Sequence, residues 1–155
     1  VVYPIYLHNL RNQPVVVVGG GQVGERKIAG LLPTGAAIRV ISPAVTDQVQ
    51  RWATEGRVMW VARPFQPGDL QGAFLTFAAT DQRTVNAQVA QEARALGILC
   101  NVADAPAEGD FHLPALHRTP DLTIAVGTGG ASPTRAKQVR DQLAAALQPI
   151  VGHDL

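Results

Sequence analysis

Three glycines, Gly19, Gly21 and Gly24, stand in the spacing G-x-G-x-x-G within the stretch VVVVGGGQVGERK, directly after four valines. That arrangement suits a ligand carrying a diphosphate. The first glycine permits a tight turn, the second lets backbone approach the pyrophosphate, and the third lets a helix pack closely on its strand. The start of the helix adds free N–H groups and a partial positive charge. A glycine turn between strand and helix also arises from packing alone, so the context decides. A second stretch of chemical interest is FAATDQRTVN, in which the small Ala78 and Ala79 leave room for a ligand before Thr80 and Asp81. The alternative role of Thr80 or Asp81 is to cap the next helix. In NVADAP, Asp104 is a carboxylate that could act as a general base or could close the DAPAEG turn. Cys100 is the one cysteine, and His8, His112, His117 and His153 form no ligand spacing, so no metal site is expected.

These groups need elements to hold them. Short apolar runs at Val15–Val18, Ala37–Ile41, Val58–Val61, Ala73–Ala78 and Ile98–Val102 read as strands covered on both faces. Amphipathic stripes lie between them. One helix is expected from about Gln22 to Leu32, another on Val45, Val49 and Trp52, and a third on Val85, Val89, Ala93 and Leu96. Such alternation predicts parallel βαβ units, an α/β fold with a Rossmann-like parallel sheet. The segment ARPFQPGDLQG reads as a loop with one helical turn. After Val102 the pattern changes: FHLPALHRTPDLTIAV reads as a hairpin broken at RTPD, and a last helix is expected from about Thr134 to Leu147. The sequence thus predicts a dinucleotide-binding Rossmann domain over residues 1–105 and a small α+β region, hairpin plus helix, over 106–148. Residues 149–155 read as a disordered tail.

The glycine fingerprint in this context points to NAD or a relative. The second strand ends VISPAV, without the Asp or Glu that commonly accepts from the ribose 2′-hydroxyl. Ser42 offers one neutral hydrogen bond there, and Arg39 sits inside the strand rather than beyond it. On these residues alone the choice between NAD and NADP stays open. Of the 155 residues, 46% are hydrophobic and 16% charged, with a net charge of +1, an ordinary globular balance, and the length is most simply that of one domain with a single sizeable core. Nothing in that balance calls for a nucleic acid or a membrane surface as partner, and the lone cysteine fits a reducing cytoplasm.

Taken together, YPIYLHNLRNQPVVVVGGGQVGERK, FAATDQRTVNAQV, ILCNVADAP, DFHLPALHR and LTIAVGTGGASPTRAKQVRDQL resemble, in order and spacing, the precorrin-2 dehydrogenases. This is the dehydrogenase/ferrochelatase module found alone or at the N-terminus of sirohaem synthase. The resemblance runs from about Tyr3 to Leu147, and CNVADAP and GTGGASP are far more specific than the glycine loop. It implies NAD-dependent oxidation of precorrin-2 to sirohydrochlorin, with Fe²⁺ then inserted as a second substrate in some members. It implies NAD contacts at Gly19, Gly20, Gly21, Gln22 and Val23, at Ser42, Pro43 and Ala44, at Thr80, and at Asn101 and Val102. Asp104 takes the position of the family's key acid. Gly24 is alanine in some relatives, which fits helix packing.

The implied substrate carries many carboxylates, so basic groups downstream of Asp104 are candidates to bind it: Arg118, Arg135 and Lys137 first, with His117 and Arg140 nearby. Solvated surface charge is the alternative for each. Thr128 stands in the GTGG turn where relatives commonly have serine, and keeps the hydroxyl on the substrate side. His112 is a candidate to share the proton work of Asp104. The family further implies a homodimer formed through about Phe111 to Leu147, and a C-terminal helical module that this sequence ends before. Two readings compete: an NAD(H)-sensing regulatory Rossmann domain without catalysis, and a chelatase in which the glycine loop no longer serves redox chemistry.

Overall fold

A computed structural model describes residues 2–151. The chain divides into two compact units, Ile5–Phe111 and Val1–Pro4 with His112–Leu155. In the larger unit the order is β1 (Pro14–Gly20), α1 (Gln22–Leu31), β2 (Ala37–Val45), α2 (Asp47–Thr54), β3 (Met59–Val61), β4 (Leu75–Ala78), α3 (Arg83–Leu96) and β5 (Leu99–Val102). All five strands are parallel, in the spatial order β3-β2-β1-β4-β5. The chain leaves β1 toward β2 on one side and returns to β4 on the other. The strand order therefore reverses between β1 and β4, which is where ligands bind in open α/β sheets. This is the Rossmann-like sheet the alternating pattern predicts.

The four valines of β1 explain why the sheet has two cores. Strand side chains alternate between faces. Val15 and Val17 join Ile28 and Leu31 of α1 and Val49 and Trp52 of α2 on one face. Val16 and Val18 join Val89, Ala90 and Ala93 of α3 on the other. All four valines are at most 1% exposed, as a strand buried on both faces requires. Leu96, expected on the inward stripe of α3, is instead 47% exposed. The left-handed Gly97 ends the helix beside it, and Ile98 takes the inward place.

The loop between β3 and β4 forms turns rather than the expected helical turn. Polar side chains hold it on the sheet. The Glu92 carboxylate on α3 accepts from the N–H groups of Gly68 (3.1 Å) and Leu70 (3.0 Å), which seats Leu70 in the core at 0% exposure. Arg63 donates twice to Asp69, at 2.8 and 2.7 Å, and this bond holds the Asp69 carboxyl below its ordinary value of 3.8. Because Glu92→Ala leaves the part-buried Leu70 N–H without its acceptor, it is expected to lower stability by about 1–3 kcal/mol in urea unfolding. An unchanged midpoint would show the loop to be held by Leu70 alone.

In the smaller unit, β6 (Ala115–Arg118) and β7 (Thr123–Val126) form the antiparallel hairpin foreseen around RTPD. The turn is closed by Thr119, whose N–H donates to the Leu122 carbonyl at 2.8 Å. Helix α4 (Pro133–Val151) packs on this hairpin and buries Ala136 to 5% exposure. It runs past the expected end at Leu147 and takes in the first residues of the expected tail. The remainder of that tail, residues 152–155, lies outside the described residues. No described helix is long and apolar enough to cross a membrane.

Candidate active site

Of the three glycines of the G-x-G-x-x-G spacing, Gly19 and Gly24 are shaped by their neighbours and Gly21 by nothing in the protein. Gly19 has φ +110°, and a Cβ there would lie 2.8 Å from the Thr80 nitrogen and closer still to the Ala79 carbonyl. Only a residue without a side chain lets β1 turn against the end of β4. At Gly24 a Cβ would run into the Gly19 carbonyl, so this glycine brings α1 onto its strand, the packing role expected of it. Gly21 differs. A Cβ there would meet no protein atom within 4 Å, and its φ of −75° is open to any residue. No side chain caps the first turn of α1, so the N–H groups of Gln22 and Val23 start an uncapped helix beside this open space. Backbone donors with room in front of them fit a dinucleotide diphosphate. Gly21→Val is therefore expected to leave thermal stability within about 0.5 kcal/mol of native while weakening dinucleotide binding at least ~100-fold. A calorimetric titration showing native affinity would place the diphosphate elsewhere.

The end of β2 bends around the same loop. The register between β1 and β2 shifts between Val18 and Gly20, so Ser42, Pro43 and Ala44 bulge out of the ladder. Pro43 and Ala44 are exposed, and the buried Ser42 hydroxyl donates to the Ala44 carbonyl at 2.6 Å, leaving its lone pairs to accept. Arg39 is committed elsewhere, donating to the Asp69 carbonyl at 2.5 Å. On β5, Val102 is buried in the core and offers only backbone to a ligand. Asn101 donates to the Phe111 carbonyl at 2.9 Å, while its buried Oδ1 has no partner in the protein. Such an acceptor costs stability until a donor reaches it, and a bound amide would supply one. Phe111 itself packs edge-on to Phe77, with ring centroids 5.6 Å apart. Burial pushes the neighbouring Cys100 thiol up to about 11, so it is an unreactive core group.

Thr80 and Asp104 meet through a residue that the sequence reading passed over. Asn86, on the first turn of α3, is 0% exposed. Its Oδ1 accepts from the Thr80 N–H (3.1 Å) and hydroxyl (2.7 Å). Its Nδ2 donates to the Thr80 carbonyl (3.0 Å) and to Asp104 Oδ1 (2.9 Å). Neither Thr80 nor Asp81 is the cap of α3, which is Gln82, the residue after Asp81. Nor does Asp104 close the turn after β5. That turn is closed by backbone, from the Glu108 N–H to the Ala105 carbonyl at 2.9 Å. The Asp104 carboxylate is one-third exposed, with Oδ2 3.9 Å from an Arg83 that pairs with Glu108. A partly exposed carboxylate fixed by one oxygen, beyond the carboxyl end of a strand, is equipped to take a proton. Asn86 was legible in principle: it falls at i, i+3, i+4, i+7 with Val89, Ala90 and Ala93, a polar residue on the inward stripe.

The other candidates belong to the smaller unit. His112, Arg118, Arg135 and Lys137 are exposed. Thr128 accepts from the Ser132 N–H at 2.9 Å and so shapes the GTGG turn, while Ser132 Oγ accepts from the Arg135 N–H at 3.2 Å. His112 lies against the same turn: a Cβ at Gly130 would sit 3.7 Å from its Cε1. Arg140 is occupied by Asp141.

A doubly wound parallel sheet with an open glycine loop at its switch point defines a nicotinamide-dinucleotide-binding domain, and a family described as putative NAD(P)-binding matches residues 6–115. The chain is 42% identical over 149 residues to sirohaem synthase 1 of Aeromonas salmonicida (strain A449), and 40% identical over 149 residues to the sirohaem synthase of Nitrosococcus oceani. Each match covers 96% of this chain and 32% of the relative, so the chain spans about a third of their length. The solved structure of SirC, precorrin-2 dehydrogenase, superposes with a TM-score of 0.81 at 30% identity, over 94% of this chain and 71% of that one. The chain belongs to the precorrin-2 dehydrogenase family, the module that sirohaem synthases carry.

Proposed function

We propose that this chain oxidises precorrin-2 to sirohydrochlorin with NAD⁺, in the making of sirohaem. The observation that carries this reading is the tie between Asp104 and the end of β4: Asn86 binds both, so a carboxylate stands fixed at the switch-point end of the sheet. The residues fit the cofactor. Gly19 to Val23 would hold the diphosphate, the bulge at Ser42 to Ala44 the ribose, and Thr80, Asn101 and Val102 the nicotinamide side. Bound there, NAD⁺ supplies the hydride acceptor. The chain's own part is to orient the substrate and to take the proton that leaves the macrocycle, on Asp104. Loss of one hydride and one proton balances the two-electron oxidation. The choice of NAD over NADP is supported by Arg39, which is spent on the Asp69 carbonyl and stands three residues before Ser42.

In the smaller unit, His112, Thr128, Arg118, Arg135 and Lys137 are assigned to the carboxylate-rich substrate, with His112 sharing the proton work. The exposed Leu113, Leu116, Leu122 and Leu143 of that unit are assigned to a homodimer interface. Fe²⁺ insertion would use the same Asp104 to accept pyrrole protons, with iron as a passing substrate. Residues 1–105 are assigned to the cofactor and 106–148 to the substrate and the dimer.

The test is to mix the protein with NAD⁺ and precorrin-2 without oxygen and to follow NADH. NADH formation dependent on both supports the reaction. Tight NAD⁺ binding with no NADH would overturn it in favour of a dinucleotide-sensing domain.

A further inference from the structure

Asn86 is costly where it stands. Asparagine is a weaker helix former than the apolar residues that usually fill an inward helix position, and a fully buried amide must find partners for all its polar groups. Here every one is found: two bonds go to Thr80 backbone beyond β4, one to the Thr80 hydroxyl and one to Asp104. The orientation of the amide is fixed by chemistry. A backbone N–H can only donate, so the atom facing the Thr80 N–H must be the oxygen. The NH₂ group must then face Asp104, whose Oδ1 accepts from it.

We propose that Asn86 is a positioning residue for the Asp104 base. It binds Oδ1, fixes the side-chain rotamer and leaves Oδ2 as the oxygen that receives the substrate's proton. Oδ2 lies 3.9 Å from Arg83, beyond hydrogen-bond distance, and Arg83 is drawn to Glu108. Through its three bonds to Thr80, the same amide ties the base to the loop assigned to the nicotinamide. Base and cofactor seat are thereby held by one side chain rather than by two independent parts of the fold. This inference rests on the reading of Asp104 as the base of precorrin-2 oxidation.

The experiment is a double-mutant cycle on the full chain. Asn86→Ala, Asp104→Ala and the double variant are compared in kcat, KM for precorrin-2 and NAD⁺ affinity. A residue that only places a base is expected to lower kcat by ~10- to 100-fold with KM little changed. In the Asp104→Ala background the same substitution should cost less than about 2-fold, since the group it positions is gone. Undiminished loss in that background, or native kcat in Asn86→Ala, would overturn the proposal. Where Asn86→Ala does not fold, Asn86→Asp keeps the shape and the acceptor for Thr80 and replaces the donor to Asp104 by an oxygen; it should show the same coupling. Independently of any variant at position 86, the side-chain amide proton resonances of Asn86 must move in Asp104→Ala, and unmoved resonances would overturn the contact itself. A native protein that binds NAD⁺ but never forms NADH would defeat the proposed reaction and this inference with it, an outcome distinct from an active enzyme whose Asn86 effects simply multiply.

Discussion

Asp104→Asn is expected to slow NADH formation from precorrin-2 by ~10²- to 10⁴-fold, the usual worth of a positioned general base. NAD⁺ affinity should stay at the native value. The substitution is nearly isosteric, and the amide oxygen can still accept from Asn86 Nδ2, so the link to Thr80 and the cofactor loop survives. What it removes is the oxygen that can take a proton. The carboxylate is one-third exposed, so its loss strands no buried charge and the fold should not weaken. Steady-state rates with NAD⁺ titrations on both proteins decide the matter. A variant that keeps most of its rate would move the base to another residue, with His112 the next to be tried.

The second large effect is on the fold itself. Gly19→Ala should lower stability by about 2–5 kcal/mol, combining a strained positive φ with overpacking. A methyl group would lie 2.8 Å from the Thr80 nitrogen, and both that backbone and the β1 turn are pinned by their neighbours. The Ala79 N–H donates to the Val18 carbonyl at 2.8 Å, so β4 cannot retreat without breaking the ladder. Urea unfolding of Gly19→Ala beside Gly21→Val separates two demands on one motif. The first glycine answers to the protein and should cost stability. The other answers to the ligand and should cost only binding. Equal stability of the two variants would contradict that division.

Much of this was written locally in the chain. Four consecutive valines before three glycines read as a doubly buried strand meeting a helix, because valines on both faces of a strand each need cover. The hairpin at RTPD was equally plain, since a Pro-Asp pair between two short extended runs, ALHR and the β-branched TIAV, leaves the backbone few other routes. Long-range commitments were not legible. Nothing near Arg39 shows that its guanidinium is spent on a carbonyl thirty residues away, and nothing in ARPFQPGDLQG shows that Glu92 will pin it. The helix cap is Gln82 rather than Thr80 or Asp81, and the Thr80 hydroxyl turns to Asn86. Asn86 went unremarked because a polar residue on an amphipathic stripe is ordinarily read as its edge. Its position on the buried side becomes evident only when the stripe is indexed residue by residue.

The most direct test follows the hydrogen itself. Precorrin-2 deuterated at its ring-bridging carbons is incubated with the protein and NAD⁺ in the absence of oxygen, and both products are weighed by mass spectrometry. The account predicts one labelled NADH for each sirohydrochlorin formed. Sirohydrochlorin appearing with unlabelled NADH, or with none, would contradict hydride transfer at this site.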